Sequence, residues 1–419
     1  MARLDPRLRA FITLDADGAL AHAGTLETEL MAGRLRGPLH GVPLAYKDLC
    51  HVPGLATSCG TRTAEYFVDR RGSTAVASLT AASAITVGRL NMTELALGPF
   101  GENAHHGDVQ NPWKSGHASG GSSSGCGSAV AARLVAGALG TDTGGSIRLP
   151  AACCGIVGLK PTYGRVSRAG VMPLSWSLDH VGPMARTVRD VAVMLGVIAG
   201  HDARDASSSR RRVAEYAAVL DTSLPPLRVG VPENYYSDGL DPGVRDAVND
   251  ALRTIEELGA KVEPLRVPDP EVIAGVCNVL ARCESAAAHV RLARERPHEM
   301  QPTVLLRLEA GFHISAYDYL QAARLRARLT REFVAEVFDA IDVLVVPTVP
   351  EPAPAYGELK RGDAGERVRR MGRFSRLTRP FNGLVLRDMK KRGNSDRRST
   401  QLSDVDRGDL RLASATRRR

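Results

Sequence analysis

The stretch Gly140-Thr-Asp-Thr-Gly-Gly-Ser-Ile-Arg148, taken with Gly120-Gly-Ser-Ser-Ser-Gly125 upstream, decides how this chain is read. Gly144 and Gly145 carry no Cβ, so the backbone can turn tightly and aim its N–H groups at one point. Ser146 follows them directly. A hydroxyl beside converging N–H donors is what acyl transfer requires: an attacking oxygen, and a cradle for the charge of the tetrahedral intermediate. On composition alone the Gly/Ser run at 115–128 reads as a linker. The alanine-rich, apolar segment that follows, Ala129 to Leu139, argues against that and reads as a buried helix.

A serine hydroxyl needs a base at neutral pH. No histidine falls in a recognisable triad motif, the Gly-x-Ser-x-Gly elbow does not surround Ser146, and no Ser-x-x-Lys begins there. The remaining candidate is Lys47, which closes the apolar, strand-like run Gly41-Val-Pro-Leu-Ala-Tyr-Lys47. Burial removes the hydration that favours a charged lysine and moves its pKa toward the range of a working base. His105-His106 suggests a metal site, but no carboxylate or cysteine lies at ligand spacing, so the pair reads as loop residues.

At these residues the chain resembles the amidase signature family. The resemblance is carried by the two stretches above, by Pro150-Ala-Ala152, by Cys154-Gly-Ile-Val-Gly-Leu-Lys-Pro-Thr-Tyr-Gly-Arg-Val-Ser167 and by Ser177-Leu-Asp-His-Val-Gly-Pro183, and it runs from about residue 5 to 383. It implies a Ser–Ser–Lys triad with Ser146 as nucleophile, Ser122 as bridging serine and Lys47 as base. It also implies a cis peptide bond at Gly121–Ser122 and an oxyanion hole made by the backbone N–H groups of Thr143, Gly144, Gly145 and Ser146. Ser123 would support the lysine, and Asp142 and Arg148 would hold the loop rather than touch substrate. No metal or organic cofactor is implied. The fold implied is α/β: a large mixed, mostly parallel sheet sandwiched by helices, with the site at one end.

The residue pattern agrees with that class. Ser73 to Ser83 reads as a helix and Ala84-Ile-Thr-Val-Gly-Arg89 as a strand; Val181 to Gly200 reads as loop then helix. Leu227 to Pro232 is a strand, and Asp241-Pro242 caps and opens a helix that Gly259 stops. Long helices are expected within 270–296 and 315–339, and a buried strand over 342–347. Strand–helix alternation of this kind builds a largely parallel sheet.

The seven cysteines are odd in number, irregularly spaced and without a Cys-x-x-Cys pair, which points to reduced thiols and a cytoplasmic setting. No apolar signal peptide opens the chain and no run of 18 apolar residues could span a membrane. Of the net charge of +9, six units lie from Val385 onward, where 11 Lys/Arg face 5 Asp/Glu. The expected organisation is a catalytic domain over 1–384 and a basic, disordered tail over 385–419. The family continues with further strands and a helix where this tail stands, so the fold is expected to be incomplete at its C-terminus. Out-of-frame sequence accounts for the tail better than an arm that binds nucleic acid or acidic membrane.

The resulting expectation is a hydrolase that cleaves a small-molecule carboxamide to acid and ammonia or amine through an acyl-enzyme on Ser146. Pro173-Leu-Ser-Trp-Ser-Leu-Asp179 looks more like stand-alone amidases than like a glutaminase-type subunit of a transfer-RNA amidotransferase, the first alternative. An inactive or unstable truncated remnant of an amidase is the second. A homodimer is an admissible assembly.

Overall fold

The computed structural model describes residues 1–63, 66–222 and 226–384. The basic segment from 385 onward lies outside the described residues. The central sheet has six strands: β1 (Phe11–Leu14), β2 (Pro43–Lys47), β3 (Ile85–Leu90), β4 (Gly137–Asp142), β5 (Val157–Gly158) and β6 (His180–Ala185), in the order β1-β3-β2-β4-β6-β5. Its middle is parallel, β3 with β2 and β2 with β4. β1, β6 and β5 join antiparallel at the flanks. A second sheet, β8-β7-β9, is wholly parallel and consists of β7 (Arg228–Pro232), β8 (Lys261–Leu265) and β9 (Val343–Leu344). Four of the seven pairings in these two sheets are therefore parallel among the described residues.

Period-2 alternation along β2 distributes its side chains between two helical layers. Leu44 and Tyr46 enter one apolar cluster with α1 (Thr74–Ala81) and α4 (Val188–Ile198), through Val76, Leu79, Val191 and Leu195. Ala45 enters the other with α2 (Ser124–Ala131) and α3 (Arg148–Cys154), through Cys126, Ala129 and Ala151. A strand covered on both faces cannot afford polar alternation, and β4 is buried at all six positions. A third cluster joins the second sheet to α6 (Pro270–Ala288) and α8 (Ala316–Phe338), with Phe333, Leu280, Leu377 and Phe381 at its centre. Between these helices in sequence lies α7 (Pro302–Phe312); α5 (Pro242–Glu257) precedes them and α9 (Ala364–Phe374) follows. Asp241 caps α5 as expected, accepting from Gly243 N at 2.8 Å.

Three boundaries differ from expectation. The helix read over 129–139 starts earlier, inside the Ser/Gly run, and ends at Ala131. Arg133 adopts φ +60°, which breaks it, and Gly137 opens β4. The loop read before α4 is instead β6, a fully buried strand whose Gly182 leaves no room for a Cβ, 2.1 Å from Leu159 O. The strand read over 342–347 is only two residues long. The seven cysteines are free thiols. His105 pairs with Glu94 at 2.9 Å and His106 with Thr61 O at 2.9 Å. Among the described residues no helix is long and apolar enough to cross a membrane.

Candidate active site

β2 and β4 run parallel as neighbours, with Lys47 closing β2 and Thr141 one residue before the end of β4. Lys47 is fully buried. Its Nζ lies 2.7 Å from Ser122 Oγ and 2.9 Å from Thr141 Oγ1. Both partners are neutral hydroxyls. Burial, the largest influence on Lys47, lowers its pKa from the ordinary lysine value to about 8, against the opposing pull of Cys126, Cys50, Asp142 and Asp179.

Ser122 is also fully buried and follows a cis peptide bond from Gly121. The chain then enters α2 directly. Gly125, in the first turn, sits against the main chain of Ala10 and Asn91, where a Cβ would stand 2.2 Å from Ala10 O. The helix and β3 thereby approach to backbone contact and fix the Ser122 segment. Ser123 makes no hydrogen bond to the lysine itself. Its Oγ is taken up by the Thr141 main chain, donating to Thr141 O at 3.2 Å and accepting from Thr141 N at 3.3 Å. It acts on Lys47 at one remove, by holding the strand end whose hydroxyl touches Nζ.

Ser146 is half-buried, unlike Lys47 and Ser122, so the residue expected to attack is the least covered of the three. Ser123 N–H donates to Ser146 O at 3.2 Å, tying the two serine-bearing segments together. The loop between β4 and α3 wraps round the Asp142 carboxylate, which accepts from Gly145 N at 2.8 Å, Ile147 N at 3.1 Å, Arg148 Nε at 3.0 Å and Arg148 Nη2 at 2.9 Å. Burial alone would raise that carboxyl; the charge and bonds of Arg148, with Asn382, outweigh it and hold the group well below the usual carboxylate range. Asp142 and Arg148 thus hold the loop.

The same clamp takes up one of the donors expected for an oxyanion hole. Gly145, expected to donate to it, spends its N–H on Asp142 because a fully buried carboxylate must be saturated with donors. Among the described residues the N–H groups of Thr143, Gly144 and Ser146 meet no protein acceptor. Gly145 remains indispensable for geometry: its φ is +130°, and a Cβ would lie 2.3 Å from Thr378 Oγ1.

Several residues of the site went unread in the sequence. Thr141 touches the lysine. Asp179 accepts from Thr143 Oγ1 at 2.6 Å, and burial raises its pKa to about 6 despite that bond. Thr378 Oγ1 donates to Gly144 O at 2.6 Å, and Asn382 Nδ2 donates to Asp142 Oδ1 at 2.9 Å. A cavity of about 220 Å³ adjoins the site through Thr141 and Asp179 and is walled by Leu49, Arg168, Met172 and Trp176 among others.

This arrangement can activate a hydroxyl through a neutral amine. The family model described as Amidase matches residues 1–396. One subunit of the glutamyl-tRNA(Gln) amidotransferase of Chromohalobacter salexigens is 42% identical over 381 residues, covering 85% of this chain and 78% of that one. A solved structure described as a vestigial protein complex that reveals the origins of an s-triazine catabolic enzyme superposes with a TM-score of 0.85 at 33% identity, over 92% of this chain and 83% of its own. A crystal structure of an amidase superposes at 0.79 with 35% identity, over 92% and 84%. The chain belongs to the amidase signature family and is a hydrolase of amide bonds.

Proposed function

We propose that this chain cleaves a carboxamide through an acyl-enzyme on Ser146, with neutral Lys47 as base and Ser122 as proton relay. The observation that carries the reading is a fully buried lysine 2.7 Å from a fully buried serine, with hydroxyls as its hydrogen-bond partners among the described residues and a pKa brought down to about 8. Such an amine is neutral in a usable fraction of molecules near neutral pH.

In the acylation step Ser122 passes its proton to Lys47 Nζ and takes the proton of Ser146 Oγ. The Ser146 oxygen attacks the amide carbon, and the carbonyl oxygen gains the negative charge. The N–H groups of Thr143, Gly144 and Ser146 face that charge. As the C–N bond breaks, the proton returns from Lys47 through Ser122 to the leaving nitrogen. Water activated by the same relay then attacks the ester, releasing the acid and restoring Ser146. Every proton taken up by Lys47 is returned within each half-reaction.

We read the protein as a free-standing amidase. A second reading, a glutaminase-type subunit of a transfer-RNA amidotransferase, is favoured by the 42% identity to one such protein. A fluorophosphonate probe should label wild-type protein at Ser146 and fail on Ser146→Ala, and labelling at another serine would remove the nucleophile assignment. Ammonia release from simple amides by the chain alone supports the free-standing reading. Release that begins only when companion subunits are added supports the other.

A further inference from the structure

Arg379 lies beside the oxyanion loop: a methyl placed on Gly144 would stand 3.6 Å from its Cγ. Its guanidinium is held by neutral oxygens, with Nη1 donating to Asn278 Oδ1 at 2.7 Å and Nη2 to Ser375 Oγ at 2.8 Å. Asn278 stands on α6, and Arg282 follows it one turn later on the same face. α7 packs on that helix, with Gly311 against Arg282 O, and contributes Arg307. Among the described residues none of Arg282, Arg307 and Arg379 forms an ion pair. The arginines that line the cavity near Thr141 differ: Arg168 is paired with Asp205 at 3.2 Å, and Arg204 with Asp69 at 2.9 Å. Burial, with repulsion from Arg379 and Arg282, pulls the Arg307 guanidinium down to about 9, and burial also lowers Arg379.

Like charges gathered without a counter-ion oppose folding, and an anionic ligand relieves them. From the placement of Arg379 beside Gly144, with Arg282 and Arg307 on the two packed helices that adjoin it, we infer that the acyl part of the substrate carries a carboxylate, or an equivalent oxyanion, bound by these guanidiniums. Among the described residues no carboxylate pairs with these guanidiniums, so an ammonium group placed among them would meet unbalanced positive charge, and the favoured class is the monoamide of a dicarboxylic acid rather than a zwitterionic amino-acid amide. The inference rests on the Ser146 reading for the position of the scissile carbonyl.

The test uses the full chain. In Ser146→Ala, calorimetry should show glutarate binding at least about 10-fold tighter than the uncharged diamide glutaramide. Arg379→Gln, Arg307→Gln and the surface-exposed Arg282→Gln should each weaken glutarate, by about 10- to 100-fold for the first two. Arg379→Lys should recover part of the loss. In wild type, kcat/KM should favour glutaramate over butyramide. The arginine variants should collapse that ratio through KM, whereas misfolding would lower both substrates together. L-Glutamine should be cleaved less well than glutaramate. Equal binding of glutarate and glutaramide, an unchanged ratio in all three variants, or preference for glutamine would overturn the inference. Glutarate binding without hydrolysis of any amide would instead sink the catalytic reading and leave the anion site standing.

Discussion

A lysine ammonium that is fully buried against two hydroxyls is costly below its folded pKa, and that cost defines how Lys47 should behave on substitution. Lys47→Met should lower amide hydrolysis by roughly 10²–10⁴-fold, since it removes the base. It should nevertheless be at least as stable as wild type at pH 7. The sign follows from linkage: the folded pKa of about 8 lies below the unfolded lysine value, so between them the unfolded chain binds more protons, and wild-type stability rises as pH rises from about 8 toward 10.5. The advantage of Lys47→Met in chemical denaturation should therefore be largest below pH 8 and shrink above it. The wild-type rate should climb as pH rises through about 8, where the folded amine becomes neutral, and level off above it. A rate that stays flat from pH 6 to 9 would speak against Lys47 as the base. Gly145→Ala tests the loop. The added methyl meets Thr378 Oγ1 at 2.3 Å in a backbone conformation that alanine avoids, so turnover should fall by at least about 10-fold, with Thr378→Ala recovering only the steric part.

At the scale of elements, the site is a pair of strand ends and two turns that lead into helices, and the Asp142–Arg148 clamp holds one of those turns. Removing the cation from a buried pair leaves an uncompensated charge, which costs about 3–5 kcal/mol. Arg148→Met should accordingly lower the unfolding free energy measured by denaturant titration by that amount, and Arg148→Met with Asp142→Leu should recover much of it. Both variants should be inactive, because the first loses the cation that seats the Asp142 carboxylate and the second leaves Gly145 without its acceptor. The grouping of these residues was legible in sequence: Ser146, Ser122, Asp142 and Arg148 stand in short Gly/Ser motifs, and Lys47 is reached by elimination and by the family resemblance. Thr141 lies inside the quoted stretch, yet nothing local says that a strand-end hydroxyl will meet a lysine 94 residues away. The donor on Gly145 illustrates the opposite limit: a turn rich in free N–H groups cannot reveal which of them its own aspartate will consume. The helix boundary at Ala131 was misread because alanine-rich sequence suits a buried helix and a buried strand equally, and only the left-handed Arg133 separates them.

Across the whole molecule, the catalytic loop is braced from the far end of the sequence. Thr378 reaches Gly144 over 234 residues and Asn382 reaches Asp142 over 240, and both ride on a segment anchored in the third apolar cluster by Leu377 and Phe381. The Phe381 ring lies 5.7 Å from that of Tyr236. Phe381→Ala should cost about 3–5 kcal/mol and should also reduce turnover beyond what unfolding explains, because it loosens Asn382. Comparing kcat per folded molecule, with the folded fraction read by circular dichroism, separates the two effects. A loss of stability with unchanged kcat would show that the cluster and the catalytic loop are mechanically independent.

That long-range brace also places the site in time. During synthesis the strands that carry Lys47 and Asp142 emerge early, and the serines with them, but the Asp142 carboxylate has its amide partner only once residue 382 is free of the ribosome. A nascent chain arrested near residue 370 would own every group of the proton relay and still lack the contacts that set the loop. Catalytic competence is thus acquired only after residue 382 has emerged, and a nascent chain short of it carries a serine that is not yet armed.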